Sequence, residues 1–157
     1  MKNMEHFLIL LISYILLSSP VTGGDQKWET LYKWGDSFSG YVWKGSGRKE
    51  NLPTYKGDVK NGVPNGLGFL IYPDSRKYIG GWKYGLYHGQ GTETSSKGVK
   101  YTGKWEYGYR SGQGTLTFPS GIKDVGEWNL GKIWNGTSYD KNGNIQYKFV
   151  NGKMRAP

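Results

Sequence analysis

The chain has 157 residues, a net charge of +9, 26 glycines, 25 aromatic side chains (7 Trp, 13 Tyr, 5 Phe) and no cysteine. That length suits one domain or one short array, and the ring content separates it from disordered chains, which lack groups to bury. Collagen is excluded because glycine does not recur at every third residue; a disulfide scaffold, a thiol nucleophile and thiolate metal sites are excluded by the missing cysteine.

In chain order, the first feature is an apolar run, Phe7 to Leu17 (FLILLISYILL), preceded by Lys2 and followed by Ser18-Ser19-Pro20-Val21-Thr22-Gly23. A charged start, a short apolar stretch and then small residues is the layout of a secretory signal peptide. Val21 and Gly23 would stand at −3 and −1 of a cut before Gly24. The run is well short of the ~20 residues of a membrane span. Segment 1–23 is therefore expected to export the chain to a periplasmic, envelope or secreted location, with an uncleaved anchor over residues 7–21 as the alternative. Residues 24–157 then hold 23 aromatics against 18 Leu, Ile and Val, and 20 basic against 11 acidic side chains. Rings must supply most of the buried apolar area.

Residues 24–54 form a lead-in, and from Tyr55 the sequence repeats. The units are 55–77 (YKGDVKNGVPNGLGFLIYPDSRK), 78–100 (YIGGWKYGLYHGQGTETSSKGVK), 101–123 (YTGKWEYGYRSGQGTLTFPSGIK) and 124–146 (DVGEWNLGKIWNGTSYDKNGNIQ), with a partial unit at 147–157 and a constant step of 23. Tyr55, Tyr78 and Tyr101 lead the first three. Glycine recurs at Gly57, Gly80, Gly103 and Gly126, and again at Gly62, Gly85, Gly108 and Gly131. A G-x-G pair follows at Gly66/Gly68, Gly89/Gly91 and Gly112/Gly114, and Trp82, Trp105 and Trp128 share one position.

Each unit predicts a β-hairpin. Tyr78, Gly80 and Trp82 alternate with Lys77, Ile79, Gly81 and Lys83, so the rings share one face. Tyr84-Gly85 punctuates the first strand, a second short strand is expected from the G-x-G pair, and Pro73-Asp74, Lys97-Gly98 and Pro119-Ser120-Gly121 supply the return turns. A helix this rich in glycine would lose ~1 kcal/mol per Gly relative to Ala. Glycines on the ring-bearing face leave room for a Tyr or Trp to lie across the backbone. The tryptophan row is expected to be packed; the alternative is an exposed row for stacking ligands.

The motif Y-x-G-x-W-x-x-G-x-x-x-G-x-G, repeated every 23 residues, resembles the MORN repeat (membrane occupation and recognition nexus) over residues 55–146. Tyr32, 23 residues before Tyr55, with Gly45 and Gly47, marks 32–54 as a degenerate first unit. The resemblance implies an all-β, single-file array of hairpins in one elongated, twisted antiparallel sheet, and a binding or scaffolding role. The pattern departs at the end, where a stack must be capped. Asp124 replaces the leading Tyr, Asn135-Gly136-Thr137 stands where G-x-G is expected, and an added residue restores the step at Tyr147.

Candidates for catalysis are few. His88, the one histidine after residue 23, is expected in a turn as a solvated polar residue. The carboxylates Asp74, Glu93, Glu106, Glu127 and Asp140 are scattered over the units with no metal-ligand or acid/base spacing. No glycine pair leads into Lys-Ser/Thr and a helix, as a phosphate loop requires. The expectation is a non-enzyme with no metal and no cofactor. Asn135-Gly136-Thr137 is a sequon as well as a turn dipeptide, and the turn is preferred.

Charge is the clue to binding. From Tyr55 onward 15 basic residues face 7 acidic ones. Lys77, Lys100 and Lys123 share one repeat position on the face opposite the rings, and Lys60 and Lys83 a nearby position on the same side. Such lysines serve either as solubilising charge that guards a sheet or as a ladder for an anionic partner. A protein partner held by a scaffold is the leading expectation; an anionic phospholipid surface is second; a glycan or cell-wall polymer stacked on Tyr and Trp is third. Nucleic acid is not expected, since no recognition module is present.

Overall fold

The computed structural model of the chain describes residues 28–36, 40–45 and 51–157; segment 1–23, expected to be a leader, and its expected cleavage site lie outside them. Twelve strands run β1 (Glu29–Asp36), β2 (Gly40–Lys44), β3 (Thr54–Lys60), β4 (Val63–Ile71), β5 (Lys77–Lys83), β6 (Leu86–Thr94), β7 (Lys100–Glu106), β8 (Tyr109–Thr117), β9 (Lys123–Asn129), β10 (Lys132–Tyr139), β11 (Ile145–Val150) and β12 (Lys153–Arg155). They form one antiparallel sheet in the order β12-β11-β10-β9-β8-β7-β6-β5-β4-β3-β1-β2. Among the described residues there is no helix, and the all-β hairpin array expected from the repeats is what forms. From β3 onward each strand pairs with its sequence neighbours. At the N-terminal end β1, not β2, lies beside β3, so β2 becomes the edge.

The second strand of each hairpin begins earlier than expected. It starts just after the two-residue turn, at Val63, Leu86 or Tyr109, and the G-x-G pair falls in its middle. The turns explain this. Asn61-Gly62, Tyr84-Gly85, Tyr107-Gly108 and Leu130-Gly131 all have positive φ at both positions. That is the type I′ hairpin turn, whose twist lets the ladder resume at once. His88 accordingly lies in β6, not in a turn, and is half-buried.

The first glycine of each G-x-G pair serves a bulge. Between Gly80/Gly91 and Trp82/Tyr87 one β5 residue faces three on β6, and the same register shift recurs in the β3–β4 and β7–β8 pairs. In β9–β10 only Trp134 is extra, which accounts for the glycine arriving one residue early as Gly136. A further shift between Ser138 and Tyr139, in the pairing with β11, restores the 23-residue step.

The core lies on one face of this single sheet. Tyr55, Tyr78 and Tyr101 are fully buried, and Trp82, Trp105 and Trp128 are 5%, 3% and 4% exposed, so the packed row is observed and the exposed stacking row is not. Each Tyr ring lies flat over a glycine pair, where an added Cβ on Gly68, Gly91 or Gly114 would strike the ring. The hydroxyl then donates to a carbonyl three residues on: Tyr55 to Asp58 (2.7 Å), Tyr78 to Gly81 (2.9 Å), Tyr101 to Lys104 (3.1 Å). Each indole N–H donates to a glycine carbonyl of the preceding unit: Trp82 to Gly68 (3.2 Å), Trp105 to Gly91 (3.2 Å), Trp128 to Gly114 (3.1 Å).

These rings also bind unit to unit. Trp82 packs edge-on between Tyr55 (5.0 Å between centroids) and Tyr78 (5.3 Å), and Trp105 between Tyr78 (5.5 Å) and Tyr101 (5.2 Å). Such contacts contribute about 0.5–1.5 kcal/mol each beyond area burial. At the N-terminal end the sheet curls over this row. Four strand spacings separate β2 from β5, roughly 19 Å in a flat sheet, yet the Trp43 and Trp82 centroids are 5.9 Å apart.

Candidate interaction surfaces

The face opposite the rings carries the lysines. Register places Ile71, Lys77, Thr94, Lys100, Thr117 and Lys123 in one unbroken cross-strand row over β4 to β9. The three lysines recur at every second strand, about 10 Å apart, with threonines between them. All three are exposed. Among the described residues the ion pairs are Arg76–Asp74 and Arg110–Glu93, so none of these lysines is neutralised by a carboxylate.

Lys60 and Lys83 do not join that row. They share its face, but they close their strands at the hairpin turns. Six residues separate Lys77 from Lys83, about 20 Å at ~3.4 Å per residue. The step that Lys60 and Lys83 begin continues as Glu106 and Asn129, so no cationic ladder forms there.

Lys83 instead belongs to an edge that the sequence reasoning did not single out. Its Nζ lies 5.6 Å from the Tyr84 ring centroid and 5.9 Å from that of Tyr107. Tyr84, Tyr107 and Leu130 each take the first position of a type I′ turn, with φ of 53°, 46° and 46°. Asn61 and Asn151 occupy the same position in the flanking turns, and asparagine is what that geometry favours. A left-handed conformation costs a bulky residue roughly 1–2 kcal/mol. Tyr84 is nonetheless 70% exposed and Leu130 73%, so burial returns little of that cost. The signal was present in the sequence as Tyr-Gly, Tyr-Gly and Leu-Gly where a turn calls for Asn-Gly. The edge is also stiff. Gly85, Gly108, Gly131 and Gly152 each donate an N–H to a carbonyl of the preceding hairpin, at 2.8–3.0 Å.

The ring face offers one polar feature in its middle. Glu93 stands between Tyr78 and Tyr101, bonded by Arg110 Nη2 at 2.9 Å, and the guanidinium lies 4.9 Å from the Tyr101 ring. Burial pushes the Tyr101 phenol up to about 12, with Arg110 pulling the other way, and pushes Tyr55 and Tyr78 higher. Tyr87 stacks flat on Tyr78 at 3.6 Å and is raised furthest, again by burial. None of these phenols is a nucleophile near neutral pH. Among the described residues no three His, Cys, Asp or Glu side chains converge as metal ligands would. His88 packs edge-on against Tyr107 at 5.3 Å, with Nδ1 buried and unpaired.

Comparison with known proteins agrees with this geometry. Residues 55–75, 78–100 and 101–123 each match the MORN repeat family. No curated protein matches the chain. The matched segments are the three hairpins in which a Tyr lies over a glycine pair, and the match stops where Asp124 replaces the Tyr. Through residues 55–123 the chain is a MORN-repeat protein.

Proposed function

We propose that this chain is an exported, non-catalytic scaffold that holds an acidic segment of another protein against the outer face of its sheet. MORN repeats serve protein or membrane-lipid interactions, and the observation that favours a protein here is the row Lys77, Lys100, Lys123. It presents like charges at about 10 Å intervals on the sheet face opposite the buried Tyr/Trp row. Acidic side chains of an extended segment would meet the lysines, and Thr94 and Thr117 would offer hydroxyls between them. Export rests on the leader at 1–23.

The test uses the chain and a Lys77→Ser/Lys100→Ser/Lys123→Ser variant as baits against the exported fraction. A partner recovered by the parent, eluted by salt and lost with the variant supports the proposal. A partner retained equally by both refutes it. Export is tested by expressing the full chain and sequencing the N-terminus of the exported product, expected to begin at Gly24.

A second reading is favoured by the turn edge. Tyr84, Tyr107 and Leu130 project from consecutive turns beside Lys83 and Lys132, and tyrosine with lysine suits the interface of an anionic bilayer. Replacing all three by Asn would relieve the left-handed strain. Under this reading the variant gains thermal stability yet loses sedimentation with phosphatidylserine vesicles; unchanged sedimentation removes the reading.

A further inference from the structure

The ring ladder stops at the fourth unit through a double truncation. One ring-face row runs Tyr55, Leu70, Tyr78, Glu93, Tyr101, Leu116, Asp124, Ser138 and Tyr147 across β3 to β11. Asp124 occupies the slot of the buried tyrosines, and Ser138 that of Leu70, Glu93 and Leu116. Two large side chains are thus replaced by two small polar ones. The space is not recovered by collapse: a groove of about 240 Å³ remains, room for roughly eight waters at ~30 Å³ each.

Its walls are chemically distinctive. Phe118 and Ile122 rise from the β8–β9 turn on one side, Tyr147 and Phe149 from β11 on the other, and Met154 from β12 closes the end. Asp124 and Ser138 form the floor. No ion pair or hydrogen bond joins the Asp124 carboxylate to another described residue. Lys123, the adjacent cation, projects from the opposite face in the outer row. The groove is therefore a carboxylate in an apolar, ring-bearing recess on a chain whose net charge is +9.

We propose that this groove binds a trimethylammonium group. A carboxylate at the floor selects a cation, and aromatic faces attract one. A primary ammonium would have to give up its hydration in a recess whose walls are mostly apolar, where beside Asp124 only the Ser120, Ser138 and Gln146 side-chain oxygens could replace water for its three N–H donors. A quaternary ammonium has no N–H to satisfy and presents methyl groups to the apolar walls while its charge faces Asp124. The groove is smaller than the ~300–1,000 Å³ of sites for larger ligands, which fits a headgroup rather than an extended molecule. At the other end of the array Trp43 lies over the ring row, edge-on against Tyr55 and Trp82.

The probe is choline, followed through the Met154 methyl resonance of the full chain. Choline is expected to shift that resonance to saturation, whereas its neutral isostere, with carbon in place of nitrogen, binds about tenfold more weakly or less. Asp124→Asn loses about tenfold at an unchanged melting temperature. Asp124→Tyr refills the slot, raises the melting temperature and abolishes the shift, so a folded protein without the site is available as a control. N-acetyl-trimethyllysine amide forms the second arm: tighter binding than choline assigns the group to a polypeptide side chain, weaker binding to a free small molecule. The proposal is overturned if neither cation moves Met154, if the neutral isostere binds as well as choline, or if binding survives Asp124→Tyr.

Discussion

Alanine placed at Gly103 and at Gly89 separates two reasons for glycine in this fold. Gly103 has no positive φ, so the backbone there accepts a side chain, but the space does not. A Cβ would lie 2.5 Å from Gly114 Cα, 2.7 Å from the Gln113 carbonyl and 2.7 Å from the Tyr101 hydroxyl. Two of those neighbours are backbone of the adjacent strand, and the third is a ring with no exposed surface to retreat to. Overpacking costs about 1–3 kcal/mol, and displacing the Tyr101 ring approaches the ~3–5 kcal/mol of losing a buried aromatic. Gly103→Ala should therefore cost about 3 kcal/mol. Gly89 presents the reverse case: its φ is +73°, with nothing within 4 Å of an added Cβ. Only the left-handed conformation is penalised, about 1 kcal/mol. Urea unfolding followed by tryptophan fluorescence and by circular dichroism gives both values, provided the two probes coincide and the slope is shared. If Gly89→Ala costs as much as Gly103→Ala, close approach of ring and backbone is not what the glycines serve.

Further outcomes follow from the same packing. Trp105→Phe removes an N–H donated to Gly91 and loosens contacts to three tyrosines (Tyr78, Tyr87 and Tyr101), whereas Trp128 packs against Tyr101; the first should cost about 2 kcal/mol and Trp128→Phe less, by urea midpoint. Arg110→Met breaks the 2.9 Å pair with Glu93, whose side chains are 25% and 34% exposed, so the loss should be near 1 kcal/mol, and Glu93→Gln in that background should return part of it. Tyr101 is raised in the fold, so its contribution is complete below the unfolded phenol value near 10 and is lost as pH rises through about 12. Unfolding midpoints should fall over that window, and the Tyr101→Phe variant should fall less steeply. Asp140 is held below the ordinary carboxylate range chiefly by the Asn144 side chain, so Asn144→Ala should raise it, read by a carboxyl titration; the turn's contribution is present above the unfolded value and is lost as pH falls through the folded one.

Sequence periodicity carried the hairpins, their order from β3 onward and the buried Tyr/Trp row, because each depends on contacts repeated at a fixed step. Two things were hidden for physical reasons. The bulge between Gly80 and Trp82 places three residues opposite one, which strict alternation cannot register, so the second strand was expected to begin several residues late. The placement of β1 beside β3 depends on how the lead-in returns across its own hairpin, a matter of tertiary packing with no repeat to reveal it. The lysines divide likewise. Lys77, Lys100 and Lys123 lie in a row because each precedes the strand-leading residue, while Lys60 and Lys83 follow the tryptophan slot and emerge at the turns, a strand's length away.

In a single-layer array every unit must present the same packing face to its neighbours, so variation costs least at positions the ladder does not use. Three places differ from the requirements of packing alone: the outer lysine row and the turn positions of Tyr84, Tyr107 and Leu130, which lie outside the ladder, and the Asp124 slot, which lies in it. The first two leave the ring row intact and add chemistry outside it. Asp124 removes a ring from the row itself, and this occurs after Trp128, where the ladder has already run through three tyrosines. Moving the same exchange inward should be far more disruptive. Tyr78→Asp would put a carboxylate between Trp82 and Trp105 and beneath Tyr87, with Glu93 opposite it across the strand pair. Desolvation and like-charge repulsion then add to the lost ring, for a total above the ~3–5 kcal/mol of removing the aromatic alone. Asp124→Tyr should instead stabilise. Opposite signs for the two exchanges, measured as melting temperatures in one buffer, would mark the fourth slot as a position released from packing; a loss of stability in Asp124→Tyr would show that the recess is itself part of the fold.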